Sequence, residues 1–267
     1  MTRVEIIAVG KEILRGQTLD TNSSWLAKRI TALGGVIGRI VIPDDDVAAI
    51  AKEIKTSFHN GAQIVITTGG LGPTFDDKTL AGIAEATNRP LSLHAKALEI
   101  VTRRYKEFYD QGFVEDAAIT PARKKMAYLP KGAEALDNPV GTAPAVSLTS
   151  PEWEIFALPG VPREMLAIFE LTVFPSLKEI LGAEFYREET VNMGIGDESI
   201  IAGMIDQVMR EVPGTYLKSK ATSFGKGVEL EVVVTAAGAD KEGIEKKVKE
   251  AKRLLLALVK SRPTRTG

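Results

Sequence analysis

The residues best suited to chemistry lie in one stretch, Ile64 to Asp77, with the sequence IVITTGGLGPTFDD. An apolar, β-branched run ends in Gly69 and Gly70, and Gly72, Pro73, Thr74, Asp76 and Asp77 follow. The pattern predicts a buried strand that stops at a tight loop, with a helix starting just beyond it. Gly69, Gly70 and Gly72 admit positive φ and let the backbone approach a ligand closely. A helix N-terminus behind such a loop presents free N–H groups, which suit an anion. Asp76 and Asp77 would stand where a metal or a polar ligand can be held. The stretch is neither a P-loop nor a dinucleotide fingerprint, because no Gly-Lys-Ser/Thr follows and GxGxxG is absent.

The same residues also have structural readings. Asp77 fits the N3 acid of a capping box begun by Thr74. Asp44 and Asp46, just after Pro43, fit helix N-caps. Glu12 fits a solvated loop acid. NPVGTAPA (Asn138–Ala145) and PGVPREM (Pro159–Met165) fit turn chemistry. His59 and His94 fall at helix ends without an acidic partner in sequence and read as surface residues. The basic runs Arg103–Arg104 and Arg123–Lys124–Lys125 read as solvated helix faces. Lys218, Lys220 and Lys226 read as protective lysines near an edge strand.

Several function classes fall away on composition. A net charge of −1 argues against a general nucleic-acid binder. Cysteine is absent and there are only two histidines, so any metal here should be a hard ion on oxygen ligands. No apolar run approaches the ~20 residues of a membrane helix. The N-terminus MTRVEIIAVG enters a strand directly, with no signal-peptide pattern. These features predict a soluble, cytoplasmic protein with no membrane partner. The 267 residues, 44% of them hydrophobic, suffice for one large domain or two unequal ones.

The elements that must position the loop alternate in type. Val4–Val9, Val36–Ile42 and Ala62–Thr67 read as strands. Between them lie a helix with Trp25, Leu26, Ile30 and Leu33 on its apolar face, capped by Thr21 or Asn22, and a second with Val47, Ile50, Ile54 and Phe58. This order predicts βαβ units and a parallel sheet, whose ligands bind beyond the carboxyl ends of the strands. Gly10–Glu12, Asp44 and Gly69–Asp77 would all lie at that edge. Helices are expected at Lys78–Ala86, Ala95–Tyr109, Ala122–Tyr128 and from Met165 towards Ile180. Further strands are expected at Ala133–Leu136, around Val146 and at Ile155–Leu158. Beyond Gly182 the order becomes β-α-β-β-α, a small module rich in packing signal and poor in catalytic residue types. The expected divisions are 1–181, 182–260 and a flexible tail, 261–267.

GKEILRGQTLDTN, VIPDD, TTGGLGPTFDD, NPVGTAPA and LPGVPREM occur in the order, and with roughly the spacing, of the N-terminal domain of the CinA (competence/damage-inducible protein) family. The chain resembles that domain from Val4 to about Ile180, and the small module, which opens with MGIGDESI, resembles the family's second domain. The likeness implies a molybdopterin-binding MogA/MoaB/MoeA-type fold: an α/β, three-layer αβα sandwich with a mostly parallel sheet, followed by a small C-terminal α+β module. It also implies a stand-alone form without the C-terminal domain that carries nicotinamide mononucleotide deamidase.

The CinA branch implies a hydrolase, a divalent-metal (Mg, Mn or Co) dependent ADP-ribose pyrophosphatase giving AMP and ribose 5-phosphate. The molybdopterin branch implies binding and adenylylation of molybdopterin. A third reading of the same edge is a non-catalytic module that binds a nucleotide without turning it over. Asp44 and Asp77 match acids functional in that branch, and Asp76 is typical of the CinA version. Leu71 stands where the molybdopterin branch has threonine, which favours CinA. On this resemblance Asp44, Asp76 and Asp77 are the candidate catalytic acids, and Glu12, Asp44 and Asp77 the metal ligands. Gly69, Gly70, Gly72, Thr74, Asn22, Asn138, Gly141, Thr142 and Gly160 would bind a small nucleotide or pterin ligand. A homo-oligomer is expected.

Overall fold

The structure, a computed structural model, describes residues 2–181, 185–195, 198–221 and 230–261. Lys226 and the tail from residue 262 lie outside them. The described residues form two compact units, residues 2–31 with Gly35–Ile180, and Ala32–Gly34 with the chain from Leu181 onward.

The first unit is built on β1 (Arg3–Ala8), β2 (Val36–Val41), β3 (Ile64–Thr68), β6 (Glu134–Leu136), β7 (Ala145–Thr149) and β8 (Glu154–Leu158), in the order β2-β1-β3-β8-β7-β6. β2, β1, β3 and β8 run parallel, with Ile6 opposite Ile40 and Ile66, and Ile66 opposite Phe156. β7 and β6 close the far edge antiparallel. β1, β3 and β8 are buried on both faces, as expected of β-branched runs in a parallel sheet.

On one face Ile7, Val65 and Ile155 join a core shared with α3 (Val47–His59), α4 (Thr79–Thr87) and α5 (Ala95–Asp110). α2 (Thr21–Ala32) and α7 (Pro162–Ile168) supply the fully buried Leu26, Ile30, Met165 and Ile168. Trp25 of α2 meets Phe169 edge-on at 5.1 Å, where α7 passes through a π-helical turn, Phe169–Val173, into α8 (Phe174–Ile180). The expected mostly parallel α/β sandwich is what the chain forms.

Differences from the expected elements are local. α2 is capped by Asp20, which accepts from Ser23 N at 2.9 Å, rather than by Thr21 or Asn22. A short helix, α1 (Lys11–Leu14), lies within the first loop. His94 is not merely a surface residue: its Nδ1 caps α5. α6 spans only Pro121–Lys125. β4 (Leu91–Leu93) and β5 (Tyr128–Pro130) form a two-stranded ribbon that three-residue segments cannot announce by periodicity.

The second unit has the expected order, β9 (Phe185–Asn192), α9 (Glu198–Glu211), β10 (Thr215–Ala221), β11 (Leu230–Gly238) and α10 (Lys241–Lys260). Its strands pair antiparallel as β10-β11-β9, and Val232, Val234, Val248 and Leu255 lie in its core.

One buried charge anchors the β2 edge. Glu5 of β1, 1% exposed, accepts from Arg39 Nε at 2.9 Å, and Arg39 reaches on to Glu53 of α3 at 2.8 Å. Burial pushes the Glu5 carboxyl up, but Ser57, Arg39 and Arg3 outweigh it and hold it below its ordinary 4.5. A depressed carboxyl contributes stability that is present above its unfolded-state pKa and lost as pH falls through the folded one. Glu5→Gln should therefore destabilise the first unit by about 2 kcal/mol at neutral pH. Both tryptophans, Trp25 and Trp153, lie in this unit, so urea unfolding followed by their fluorescence reads the effect. The difference from wild type should shrink as pH drops below 4.5.

Candidate functional site

The site is set by how tightly three strand ends are drawn together. Val9 N donates to Thr68 O at 2.8 Å, and Gly69 N to Leu158 O at 2.9 Å, tying the exits of β1, β3 and β8. Gly69 has φ +91°, and a Cβ there would sit 2.1 Å from Val9 O. A Cβ on Gly160 would come within 3.2 Å of the Gly69 Cα. Gly70 has φ +67° and leaves no room for a side chain beside the Thr79 hydroxyl. Thr79 fixes the turn, its Oγ1 donating to Gly69 O at 2.7 Å and its N–H to Gly70 O at 3.1 Å.

Leu71, 4% exposed, drops into the core beside Leu80 and Met126 and anchors the loop from below. The N–H groups of Gly70, Leu71 and Gly72 have no hydrogen-bond partner among the described residues. Successive unpaired N–H groups in a tight turn make an anion-binding concavity. They border a cleft of about 530 Å³. The helix behind contributes less than expected: α4 begins at Thr79, and its first N–H is already taken by Gly70.

The acids gather on one side. Asp77 Oδ2 accepts from Thr74 N at 2.8 Å and from Thr74 Oγ1 at 2.5 Å, and the same hydroxyl meets Asp76 Oδ1 at 2.5 Å. The Thr74 hydroxyl holds the Asp76 carboxyl below its usual range. Asp77 is thus the acid of a capping-box contact, made on a turn before the helix rather than on the helix itself. Lys125 pins this turn, its Nζ donating to the carbonyls of Thr74 and Asp77. Burial draws the Lys125 ammonium down, and Asp77 and Asp76 oppose the shift. Lys125 and Arg123 are therefore not a solvated basic face: Arg123 stacks on Tyr105 at 3.9 Å and binds Asp116.

After β2 three aspartates divide the work. Asp44 pairs with Lys11 Nζ at 3.0 Å, and that hydrogen bond lowers its pKa. Asp46 caps α3 through Ala48 N and Ala49 N. Asp45 lines the cleft and accepts from Lys11 N at 3.0 Å. Burial raises the Asp45 carboxyl, Lys11 N–H opposes this, and the charges of Glu12, Asp44 and Asp76 add to the rise.

The far wall comes from the loop after β6. Asn138 is fully buried and fully used: Nδ2 donates to Ala143 O and Glu164 Oε2, and Oδ1 accepts from Val140 N and Gly141 N. Arg104 binds the carbonyls of Gly141 and Val140 at 2.8 and 2.7 Å. Asn22 Nδ2 donates to Gly160 O at 2.9 Å, while its buried Oδ1 has no partner among the described residues.

Comparison with known proteins places this architecture. Residues 5–179 match the family described as "Probable molybdopterin binding domain". The chain belongs to that family. Relatives of this molybdopterin-binding-domain chain include a protein of Caldivirga maquilingensis, 41% identical over 269 residues and covering 97% of both chains. The crystal structure of CinA from Thermoplasma acidophilum is 30% identical, with a TM-score of 0.59 over 67% of this chain and 99% of that one. Tungsten cofactor synthesizing protein MoaB from Pyrococcus furiosus overlaps less, at 21% identity and a TM-score of 0.41, over 67% of this chain and 96% of that one.

In this molybdopterin-binding-type domain Glu12, Asn22, Gly69, Gly70, Gly72, Thr74, Asp76, Asp77, Thr142 and Gly160 all line the cleft. Asp44, Asn138 and Gly141 are not among the lining residues; they support it from behind through Lys11 and Glu164. Asp45 and Glu164 line it without having been singled out in the sequence. No helix among the described residues is long and apolar enough to cross a membrane.

Two substitutions test the corner. Gly69→Ala should destabilise the first unit by roughly 3 kcal/mol or more, because it adds strain at positive φ to a backbone collision. Urea unfolding read by tryptophan fluorescence measures it. Lys125→Met should leave global stability nearly unchanged. It should speed hydrogen exchange of the Thr74 amide roughly tenfold, a local loss of ~1.4 kcal/mol.

Proposed function

We propose that the cleft binds a phosphorylated pterin of the molybdopterin class and serves its adenylylation. One observation carries the reading. Gly70, Leu71 and Gly72 offer three N–H groups, unpaired among the described residues, at the carboxyl edge of a parallel sheet, where such folds take ligands. A phosphate there would gain charge-assisted hydrogen bonds from rigid donors. Membership of the molybdopterin-binding domain family supports a pterin as the attached ring.

A second reading has its own support. Glu12, Asp45, Asp76 and Asp77 line the same cleft, an acid-rich set suited to cleaving a phosphoanhydride with a divalent ion. In that case ADP-ribose and water would give AMP and ribose 5-phosphate. The donor set is all oxygen, yet no three His, Cys, Asp or Glu side chains among the described residues come together to hold an ion. Asp76 and Asp77 would hold Mg, Mn or Co together with phosphate oxygens of the ligand. The ion would supply charge neutralisation. The chain itself would orient the phosphate on its N–H groups, with Lys125 keeping the Thr74–Asp77 turn in place.

The two readings separate in a calorimeter and a product assay. A hydroxymethylpterin diphosphate should bind at least ~10-fold tighter than the unphosphorylated pterin, the gain of about one charged hydrogen bond. Equal affinity for the two would sink the phosphate cradle. AMP released from ADP-ribose with a divalent ion, and lost in Asp77→Ala, would instead establish the second reading.

A further inference from the structure

Glu164 is the carboxyl of the cleft that phosphate chemistry does not account for. It stands in the first turn of α7, apart from the acids around Thr74, and has no ion-pair partner among the described residues. Its place is built for it. Oε2 accepts from Asn138 Nδ2 at 2.7 Å, and that amide has no freedom to turn, because its other three hydrogen bonds run to Ala143, Val140 and Gly141. A Cβ on Gly141 would fall 1.9 Å from Oε2 and 2.4 Å from Oε1, so the carboxyl packs flat on a residue that must lack a side chain. Arg104 fixes the same loop by its carbonyls and attracts the carboxylate from a distance. Burial pushes the Glu164 carboxyl up against the pull of Asn138 and Arg104.

Only one of the two oxygens is engaged: Oε1 has no hydrogen-bond partner among the described residues. A rigid carboxylate with an open oxygen at a cleft wall is an acceptor in need of donors. Leu19 and Val161, 82% and 54% exposed, line the same cleft and offer apolar surface to the faces of a flat ring rather than to a sugar.

We infer that Glu164 is the specificity-determining carboxylate of the cleft, accepting from the ring N–H and neighbouring amino group of a ligand with an amino-lactam edge. Pterin and guanine share that edge. Hypoxanthine lacks its amino group, and adenine sets a donor beside an acceptor, which a carboxylate does not match. The inference rests on the phosphate cradle of the preceding section and adds the residue that reads the edge of the ring.

The test is calorimetric titration of wild type and Glu164→Gln with four diphosphates: hydroxymethylpterin diphosphate, GDP, IDP and ADP. Inorganic pyrophosphate serves as the ring-free control. Wild type should prefer the pterin compound, GDP or both over IDP and ADP by roughly 10- to 100-fold, the worth of a hydrogen bond to a charged group. Glu164→Gln keeps the shape and the Asn138 contact. It should abolish that preference while leaving ADP and pyrophosphate affinity unchanged or better. A purely structural Glu164 would instead weaken all five probes together, and that result overturns the inference. Equal wild-type affinity for all the rings overturns it too, while the cradle stands. Absence of binding by every probe, pyrophosphate included, removes the cradle and the inference with it.

Discussion

Everything at the candidate site depends on the absence of two Cβ atoms. Gly69 lies against the Val9 carbonyl, and Gly160 lies against Gly69. That close approach lets the exits of β1, β3 and β8 share hydrogen bonds and leaves their loops touching. A side chain at Gly69 would push the first loop from the third and open the cleft. Gly69 and Gly70 both take positive φ, so the chain turns sharply, and the next N–H groups take no part in the sheet ladder. Thr79 and the buried Leu71 hold that turn from the core side. The loop is therefore rigid before any ligand arrives, which spares binding the entropy of ordering it.

Around this corner, charge is distributed by separate supports. Asp76 and Asp77 share one hydroxyl, and Lys125 grips the carbonyls of the same turn. Lys11 serves two neighbours at once, its side chain paired with Asp44 and its N–H bound to Asp45. Burial, joined by the charges of Glu12, Asp44 and Asp76, raises the Asp45 carboxyl, so the site favours a ligand that brings a cation or donor groups to that side. The unpaired N–H groups of Gly70 to Gly72 supply the opposite polarity a short way along the loop. A ligand with phosphate at one end and hydrogen-bond donors at the other matches both.

Much of this was legible in the sequence, for identifiable reasons. Runs such as Ile64–Thr68 are β-branched and end in glycine, so strand, exit and loop are visible together. Strand alternation with helices gave the parallel sheet and hence the edge where ligands gather. What escaped was the direction of individual side chains. Asp44 and Asp45 are adjacent, and which one faces the cleft depends on where Lys11 stands, a contact 34 residues away in sequence. Asn138 has the residue type of a ligand binder, yet the local turn uses all its hydrogen bonds. Glu164 sits inside PGVPREM, which reads as turn chemistry; Pro162 starts α7 right at the end of β8 and so brings Glu164, in its first turn, to the sheet edge. Lys125 was hidden in a basic run because its partners lie about 50 residues upstream.

The central claim is that the loop after β3 holds phosphate by its main chain. Nuclear magnetic resonance of the labelled protein during titration with inorganic pyrophosphate addresses it most directly. The Gly70, Leu71 and Gly72 amide protons should move downfield together and saturably, with slowed hydrogen exchange, while the amides of β1 and β8 hold still. Shifts confined to lysine-rich surfaces, or none at these three amides at saturating pyrophosphate, would contradict the account.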